Sequence, residues 1–278
     1  MDVRVAVASH SLGSGFAGLM YSHIRKQLRP GCSIAECGVV MRKDREFLRS
    51  RLLRLLEAAP RPIALVGICL RPDPETLADY RAAGVPVVLI DEEAEGASTV
   101  ASDNFAGGYL AAEHLLDKGR RSPALVIGEL GTNGSYNAVE RLRGFEKALA
   151  DRGLPFSRDD VVEVVDYSRK DGVTALTELV RRRSRIDAVF CAAGDVCATG
   201  VLAEARERRM EVPSELAVLG YDDNPLASIS HPPLSTLRQP LEEIAAQAWR
   251  LATESTAEIL VRPKRVLLKP ALVQRGST

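Results

Sequence analysis

Two adjacent carboxylates, Asp222 and Asp223, follow a short apolar run in the segment LGYDDNPLASISHPPLSTLRQP (Leu219–Pro240). A carboxylate at the end of a strand can accept two hydrogen bonds from the hydroxyl groups of a ligand. Side chains of neighbouring residues diverge, so these acids do not predict a catalytic pair. Pro225 and the later prolines argue against a helix, and we therefore expect an irregular stretch after Asp222.

Three other polar or aromatic residues come just after a strand pattern or early in a helix pattern. Arg141 could present a guanidinium fork to vicinal hydroxyls or a carboxylate, and its alternative is a solvated surface arginine. Tyr167 could form a flat wall for a sugar or a base, or a half-buried loop contact. Asp195 opens a helix pattern, and capping of that helix alone would explain it.

The sequence gives little support for an enzyme. No G-x-S-x-G elbow is present, and none of the four histidines has the spacing of metal ligands. Gly13, Gly15 and Gly18 match the dinucleotide fingerprint formally, but three residues separate Gly13 from the strand end at Ser9. We expect no catalytic residue, no metal and no cofactor, and keep an NAD-dependent oxidoreductase as a distant alternative. A further reading places Phe16 of this loop beside a ligand.

Composition indicates a large globular α/β protein. The 278 residues are 46% hydrophobic and 27% charged, and the 37 basic residues balance the 37 acidic ones. A neutral surface does not favour nucleic acid or acidic membranes as whole-surface partners. No apolar run could span a bilayer, and the N-terminus does not resemble a signal peptide. The five cysteines are an odd number without a C-x-x-C pair, so we expect reduced thiols.

Short β-branched runs alternate with helical patterns along the chain, which predicts parallel sheets covered by helices on both faces. The predicted strands are Val3–Ser9, Ser33–Val40, Ile63–Ile68, Val87–Ile90, Ala124–Gly128, Val161–Val165, Asp187–Ala192, Leu216–Tyr221 and Arg265–Val273. The predicted helices are Phe16–Leu28, Asp44–Ala59, Pro74–Ala83, Phe105–Lys118, Ala138–Arg152, Asp171–Arg182, Asp195–Arg208 and Leu241–Ser255. Ligands of such sheets bind beyond the carboxyl ends of the strands.

Several segments, taken in order, resemble the ligand-binding core of lactose-repressor (LacI/GalR-type) transcription regulators. They are VASDNFAGGYLAAEHLLDKG (Val100–Gly119), ERLRGFEKAL (Glu140–Leu149), the run Asp187–Asp223, HPPLSTLRQP (His231–Pro240) and LLKPALVQRGST (Leu267–Thr278). The resemblance implies a periplasmic-binding-protein-like fold of two doubly wound parallel-sheet lobes joined by three crossovers. Its lobes would be 1–119 plus 240–268 and 120–239 plus 269–278, with an effector cleft between them.

The family's ligand contacts map onto Phe16, Arg141, Tyr167, Asp222 and Gln239, and we add Asp195 to this candidate set. The resemblance implies a cytoplasmic homodimer that binds a small polyhydroxylated effector, a sugar in chemical class, and that has no membrane partner. It implies contact with operator DNA only through a helix-turn-helix headpiece, which this sequence does not contain. Gly194 and Gly15 depart from the family pattern. A free-standing periplasmic-type sugar-binding protein is the alternative.

Overall fold

The computed structural model describes residues 3–10, 12, 15–38, 44–130, 135–182 and 185–278. Twelve strands and ten α-helices alternate in these ranges. In chain order the first part holds β1 (Val3–Ser9), α1 (Gly15–Arg25), β2 (Cys32–Gly38), α2 (Arg45–Leu56), β3 (Ala64–Ile68), α3 (Pro74–Ala82), β4 (Val87–Ile90), β5 (Ser98–Ser102), α4 (Asn104–Asp117), β6 (Pro123–Gly128) and α5 (Tyr136–Asp151). Gly13 of the formal dinucleotide fingerprint lies outside the described residues.

The remaining elements complete the same alternation. They are β7 (Val161–Val164), α6 (Arg169–Arg182), β8 (Ala188–Cys191), α7 (Asp195–Glu207), β9 (Ala217–Tyr221), α8 (Pro225–Ile229), β10 (Ser235–Arg238), α9 (Leu241–Glu254), α10 (Thr256–Val261), β11 (Arg265–Leu268) and β12 (Ala271–Val273). The predicted α/β class is confirmed, because nearly all strand pairings are parallel and helices cover both faces of each sheet.

The chain forms two compact units and passes from one to the other three times. The first unit contains Met1–Ser102 and Pro240–Leu268, and the second contains Asp103–Gln239 and Lys269–Thr278. Our sequence-based boundary at Gly119 assigned α4 to the first lobe and is corrected here to Ser102. The physical reason is that α4 packs along α5 and beneath the second sheet, where Ala111 and Leu115 join the core of that unit.

Each unit is built around one six-stranded sheet. The strand order is β11-β5-β4-β3-β1-β2 in the first unit and β12-β10-β9-β8-β6-β7 in the second. All pairings are parallel except that of β10 with β12. Every parallel strand of a sheet therefore ends at the same edge, which brings the residues that follow them together.

Alternating residues of the strands of the second unit fill two separate cores. Leu125 and Phe190 pack under α4 and α5, whereas Val126 and Val189 pack under α6 and α7. Burial on both faces explains why these strands read as continuous apolar runs rather than as an apolar–polar alternation.

The sequence analysis did not predict two strands, because they contain several polar residues. In β5 (STVAS) the hydroxyl of Thr99 donates to the carbonyl of Glu92. In β10 (STLR) the hydroxyl of Thr236 donates to Asp195 and Ser235 is fully buried. Buried hydroxyls that are hydrogen-bonded fit a central strand, although an apolar pattern cannot find them.

The stretch after Asp223 contains a short helix, α8, where we predicted irregular chain. Pro225 occupies the first position of this helix, where its missing N–H removes no hydrogen bond. The side chain of Asn224 caps the helix by accepting from the amide of Leu226 at 3.0 Å. The proline that argued against a helix is therefore the residue that starts it.

All five cysteines are free thiols. Among the described residues, no helix is long and apolar enough to cross a membrane.

Glycines let α4 and α5 approach each other at backbone contact. A methyl group built on Gly108 of α4 would overlap the carbonyl of Arg141, and one built on Gly144 of α5 would overlap the carbonyl of Phe105. Close packing of this kind leaves no room for a larger residue, because interiors of proteins are already dense.

We predict that Gly108→Ala lowers the free energy of unfolding by about 1–3 kcal/mol, because the new methyl group must push α4 away from α5. The measurement is the free energy of unfolding by urea, followed by circular dichroism. Gly38→Ala is the control, since a methyl group there meets no atom within 4 Å. Equal stability of the two variants would contradict this account of the helix pair.

Candidate ligand-binding site

Four of the six candidate residues follow strands of the second sheet directly or within four residues. Asp222 comes immediately after β9, Gln239 immediately after β10, Tyr167 three residues after β7, and Asp195 four residues after β8. Arg141 joins them from the second turn of α5. The structure thus brings five of the six candidates to the carboxyl edge of one sheet.

Asp222 is held in a strained backbone conformation at the end of β9. Its φ is +103°, a region that residues other than glycine rarely adopt. Its amide donates to the carbonyl of Leu237 at 2.8 Å, and its Oδ1 accepts from the Nε2 of Gln239 at 2.6 Å. Strain of this kind persists where the surrounding structure fixes it, commonly at ligand sites.

Asp223 has a different role from its neighbour. Its carboxylate accepts from Arg238 at 2.6 Å and from Arg275 at 2.6 Å. Burial alone would raise the pKa of Asp223, but the two arginines outweigh burial and lower it. The expectation that the two adjacent acids diverge is confirmed: Asp223 ties the turn to the C-terminal segment, and Asp222 faces Gln239.

Arg141 is a buried arginine, with 6% of its surface exposed. Its Nε donates to the Oδ1 of Asn104 at 2.8 Å, and its Nη1 donates to the carbonyl of Ala192 at 2.8 Å. Its guanidinium carbon lies 3.6 Å from the centre of the Tyr221 ring, a cation–π contact. These contacts exclude the alternative of a solvated surface arginine.

Asp195 is the first residue of α7, and the helix cap is Gly194, so the alternative that Asp195 only caps the helix is wrong. Gly194 has a φ of +102°, which suits glycine. The carboxylate of Asp195 instead accepts from the hydroxyl of Thr236 at 2.7 Å and from the amide of Asn224 at 2.6 Å. It thereby ties β8, β9 and β10 together at their carboxyl ends.

The pKa of Asp195 is raised to about 8. Burial is the largest cause and the charge of Asp222 the second, and the hydrogen bonds from Thr236 and Asn224 only partly oppose them. Asp195 therefore holds a proton at a pH where exposed aspartates are ionised, next to a carboxylate at the same edge.

Tyr167 has a left-handed backbone, with a φ of +56°. Its hydroxyl approaches β6 so closely that a methyl group on Gly128 would overlap it. The ring is half-buried and packs against the core under α6 and α7. This position at the strand ends suits a wall beside a ligand, and Gly128 is the residue that allows it.

Phe16 lies in the first unit, on the first turn of α1, where it is half-buried against the core of that unit. The sequence analysis missed two residues of the same unit that share the backbone strain of Asp222. Cys69 follows β3 with a φ of +47°, and Asp91 follows β4 with a φ of +60°. The rule that selected Asp222, a polar residue immediately after a strand, would also have found them.

No group of three metal-ligating side chains occurs within the ranges that the structure describes. The donors and acceptors gathered here are two carboxyl groups, a guanidinium, a side-chain amide and a tyrosine hydroxyl. Such a set can bind hydroxyl or amide groups of a ligand.

Residues 112–278 match the family described as periplasmic binding protein-like domain, which is the class that the fold and the strand-end site define. The chain is 32% identical over 196 residues to DegA, an HTH-type transcriptional regulator of Bacillus subtilis (strain 168). That match covers 70% of this chain and 56% of DegA, so the chain spans little more than half of that relative.

Two solved structures extend the match over the whole chain. The transcriptional regulator CelR in its cellobiose complex is 26% identical with a TM-score of 0.83, covering 100% of this chain and 85% of CelR. A LacI-family transcriptional regulator from Sanguibacter keddieii is 26% identical with a TM-score of 0.79, covering 99% and 98% of the two chains. The chain belongs to the periplasmic-binding-protein-like family and corresponds to the effector-binding core of LacI-family regulators.

We predict that Asp195→Asn removes a pH dependence of stability. The folded pKa of Asp195 lies above its unfolded value, so the folded protein binds more protons between about pH 4 and pH 8. This group therefore lowers the free energy of unfolding as the pH rises through that window, by at most about 1.4 kcal/mol per pH unit.

The measurement is urea unfolding at pH 5, 6, 7, 8 and 9. The stability of Asp195→Asn relative to the unmodified protein should increase up to about pH 8 and then level off. Asp159→Asn, at an exposed acid of the same unit, serves as the control. Parallel profiles for Asp195→Asn and the unmodified protein would show that Asp195 is already ionised at pH 5.

Proposed function

We propose that this chain is the effector-binding and dimerisation core of a LacI-family transcriptional regulator, and that its effector is a small polyhydroxylated molecule, most simply a sugar. The effector would contact Arg141, Tyr167, Asp195, Asp222 and Gln239 at the carboxyl edge of the second sheet, and Phe16 stays a predicted contact residue. In the full-length regulator, effector binding would bias the protein between states with different affinities for operator DNA.

The observation that carries the proposal is the pairing of Asp222 with Gln239. Gln239 is 3% exposed and donates its Nε2 to Asp222, and its Oε1 is buried without a hydrogen-bond partner among the described residues. A buried acceptor without a donor is unfavourable by about 1–3 kcal/mol. A ligand hydroxyl would satisfy it, and a neighbouring hydroxyl could donate to Asp222.

Three features support a sugar. A hydroxyl both donates and accepts, so a vicinal diol can bond to a carboxylate and to an arginine at once. A flat, half-buried ring such as Tyr167 suits the apolar face of a pyranose. CelR, which has the same fold at 26% identity, was solved as a cellobiose complex.

The DNA-binding part of the proposal rests on the relatives. DegA is an HTH-type regulator, and the chain matches only 56% of it. We propose that a helix-turn-helix segment of the full-length protein contacts the operator, and that the regulator acts in the cytoplasm. This core has a formal net charge of zero, which does not favour DNA as a partner of its whole surface.

We predict that Asp222→Asn weakens sugar binding at least tenfold, because it removes the charge that a ligand hydroxyl would bond to. Arg141→Lys should have a similar effect, since an ammonium cannot reproduce a guanidinium fork. The measurement is isothermal titration calorimetry with cellobiose and a panel of mono- and disaccharides.

Arg143→Ala is the matched control for Arg141. Arg143 lies two residues further along α5, but its side chain is 62% exposed and pairs with Glu140 on the surface. We expect the Arg143→Ala variant to bind the sugar with unchanged affinity. Unchanged affinity in Asp222→Asn and Arg141→Lys as well would place the sugar elsewhere, and heat from none of the sugars would overturn the choice of effector class.

We also propose that the core forms a homodimer, because a two-fold symmetric operator requires two headpieces. An apolar patch on the second unit supports this. Ile229 and Leu226 of α8 are 76% and 40% exposed, and Val196 of the neighbouring α7 is 37% exposed. Ala227 anchors α8 in the core, so Ile229 and Leu226 are free to pack against another surface.

We predict that Ile229→Glu or Leu226→Glu shifts the dimer toward monomer without unfolding it, because each puts a charge into the buried centre of the interface. Light scattering at tens of micromolar protein measures the mass, and circular dichroism checks the fold. Val261→Glu, which alters a valine of α10 that is 71% exposed, is the control and should remain dimeric. A monomeric unmodified core would remove the proposal and favour a free-standing sugar-binding protein.

A further inference from the structure

One buried amide oxygen holds two side chains, those of the candidate contact Arg141 and of Tyr221 in β9. The Oδ1 of Asn104 accepts from the Nε of Arg141 at 2.8 Å and from the hydroxyl of Tyr221 at 3.2 Å. Arg141 lies over the ring of Tyr221, so all three side chains touch one another in a closed triangle. A guanidinium N–H can only donate, which assigns the oxygen rather than the nitrogen of Asn104 to this position.

We infer that Asn104 is the positioning residue of the site, because its amide oxygen fixes the orientation in which Arg141 presents its guanidinium. A guanidinium held at Nε can no longer rotate about its last bonds, so the direction of its remaining N–H groups is set before a ligand arrives. Affinity then depends on Asn104 although Asn104 need not touch the ligand.

The segment DNFAGG (Asp103–Gly108) builds this position. Asp103 caps α4 by accepting from the amide of Ala106 at 2.9 Å, which places Asn104 on the first turn. Gly108 lets the backbone of α4 reach the backbone of Arg141 itself. A methyl group on Gly107 would lie 2.7 Å from the hydroxyl of Tyr221, so this glycine makes room for the second donor.

Because all three side chains are buried, the loss of one hydrogen bond among them is unfavourable. Asn104, Arg141 and Tyr221 are 2%, 6% and 0% exposed, so a donor that lost the Asn104 oxygen would find little water to replace it. The carbonyl of Ala192 accepts from a different nitrogen of Arg141, Nη1. Loss of Asn104 would therefore remove the acceptor that orients the Nε end of the guanidinium.

The test compares Asn104→Leu, which replaces the amide by two methyl groups on the same branching carbon and so removes the acceptor, with Asn104→Asp, which keeps an oxygen in the same place. The first readout requires no ligand. The Nε–H of Arg141 is followed by ¹⁵N–¹H NMR as it exchanges with water, and the Nε–H of the exposed Arg143 is the internal reference. We expect exchange at Arg141 at least tenfold faster in Asn104→Leu, and protection retained in Asn104→Asp.

Two results of the NMR comparison would overturn the inference. One is an Arg141 signal in Asn104→Leu that stays as protected as in the unmodified protein. The other is equal loss in Asn104→Leu and Asn104→Asp, which would mean that shape rather than the acceptor matters. If Asn104→Leu does not fold, the unmodified protein decides: its Arg141 Nε–H must exchange at least tenfold more slowly than that of Arg143.

A second readout links orientation to binding and rests on the proposed function. Cellobiose affinity, or that of whichever panel sugar binds, should fall at least tenfold in Asn104→Leu and much less in Asn104→Asp. Loss of NMR protection with unchanged sugar affinity would overturn the positioning role. If no sugar binds the unmodified protein, the proposed effector class fails while the NMR comparison still decides the role of Asn104.

Discussion

Helices α4 and α5 lie so close together that one added methyl group on either Gly108 or Gly144 would overlap backbone of the other helix. The position of Arg141 depends on this contact, because Arg141 sits at the crossing point and its own carbonyl is the atom that Gly108 meets. From there the guanidinium reaches Asn104 on one helix, Ala192 after β8 and the ring of Tyr221 in β9. The close contact between the backbones of α4 and α5 thus positions Arg141, which links these two helices to the ends of β8 and β9.

The opposite face of the same sheet is built in the same way. Methyl groups on Gly172 of α6 and Gly200 of α7 would overlap the carbonyls of Cys197 and Arg169. The start of α7 is in turn fixed by Asp195, whose carboxylate holds Thr236 and Asn224. Both helix layers therefore help to fix the positions of the loops at the carboxyl edge of the sheet. The residues that follow the strands lie in these loops.

The fold class and most elements could be predicted from sequence, because buried parallel strands and their covering helices have distinct apolar patterns. β5 and β10 could not, since Thr99 and Thr236 look polar until their buried partners are known. α8 was missed because Pro225 reads as a helix breaker unless it is the first helical residue. The boundary at Ser102 also needed the structure: the sequence shows that α4 is amphipathic but not which sheet it covers.

The residues of the candidate site could be predicted only in part, because some of their roles depend on contacts between distant parts of the chain. The order of strands and helices places Asp222 and Tyr167 at strand ends, so pattern alone can nominate them. Gln239 follows β10, a strand that the pattern missed, and it was nominated only by the family resemblance. Nothing local marks Asn104, whose role arises from contacts with Arg141 and Tyr221, 37 and 117 residues away. The three neighbouring acids could not be ranked either, because Asp223 is neutralised by arginines while burial keeps a proton on Asp195.

Asn104 is the second residue after the chain leaves the first unit, and Gln239 is the last before it returns. Each is hydrogen-bonded to a candidate contact residue, Arg141 in one case and Asp222 in the other. Anyone redesigning this protein as a biosensor for a new compound meets a constraint here. Exchanging Arg141 or Asp222 to alter the candidate site also removes a hydrogen bond to a residue at one of these chain passages. Tyr167, on a loop between β7 and α6 and far along the chain from both passages, is the better place to start.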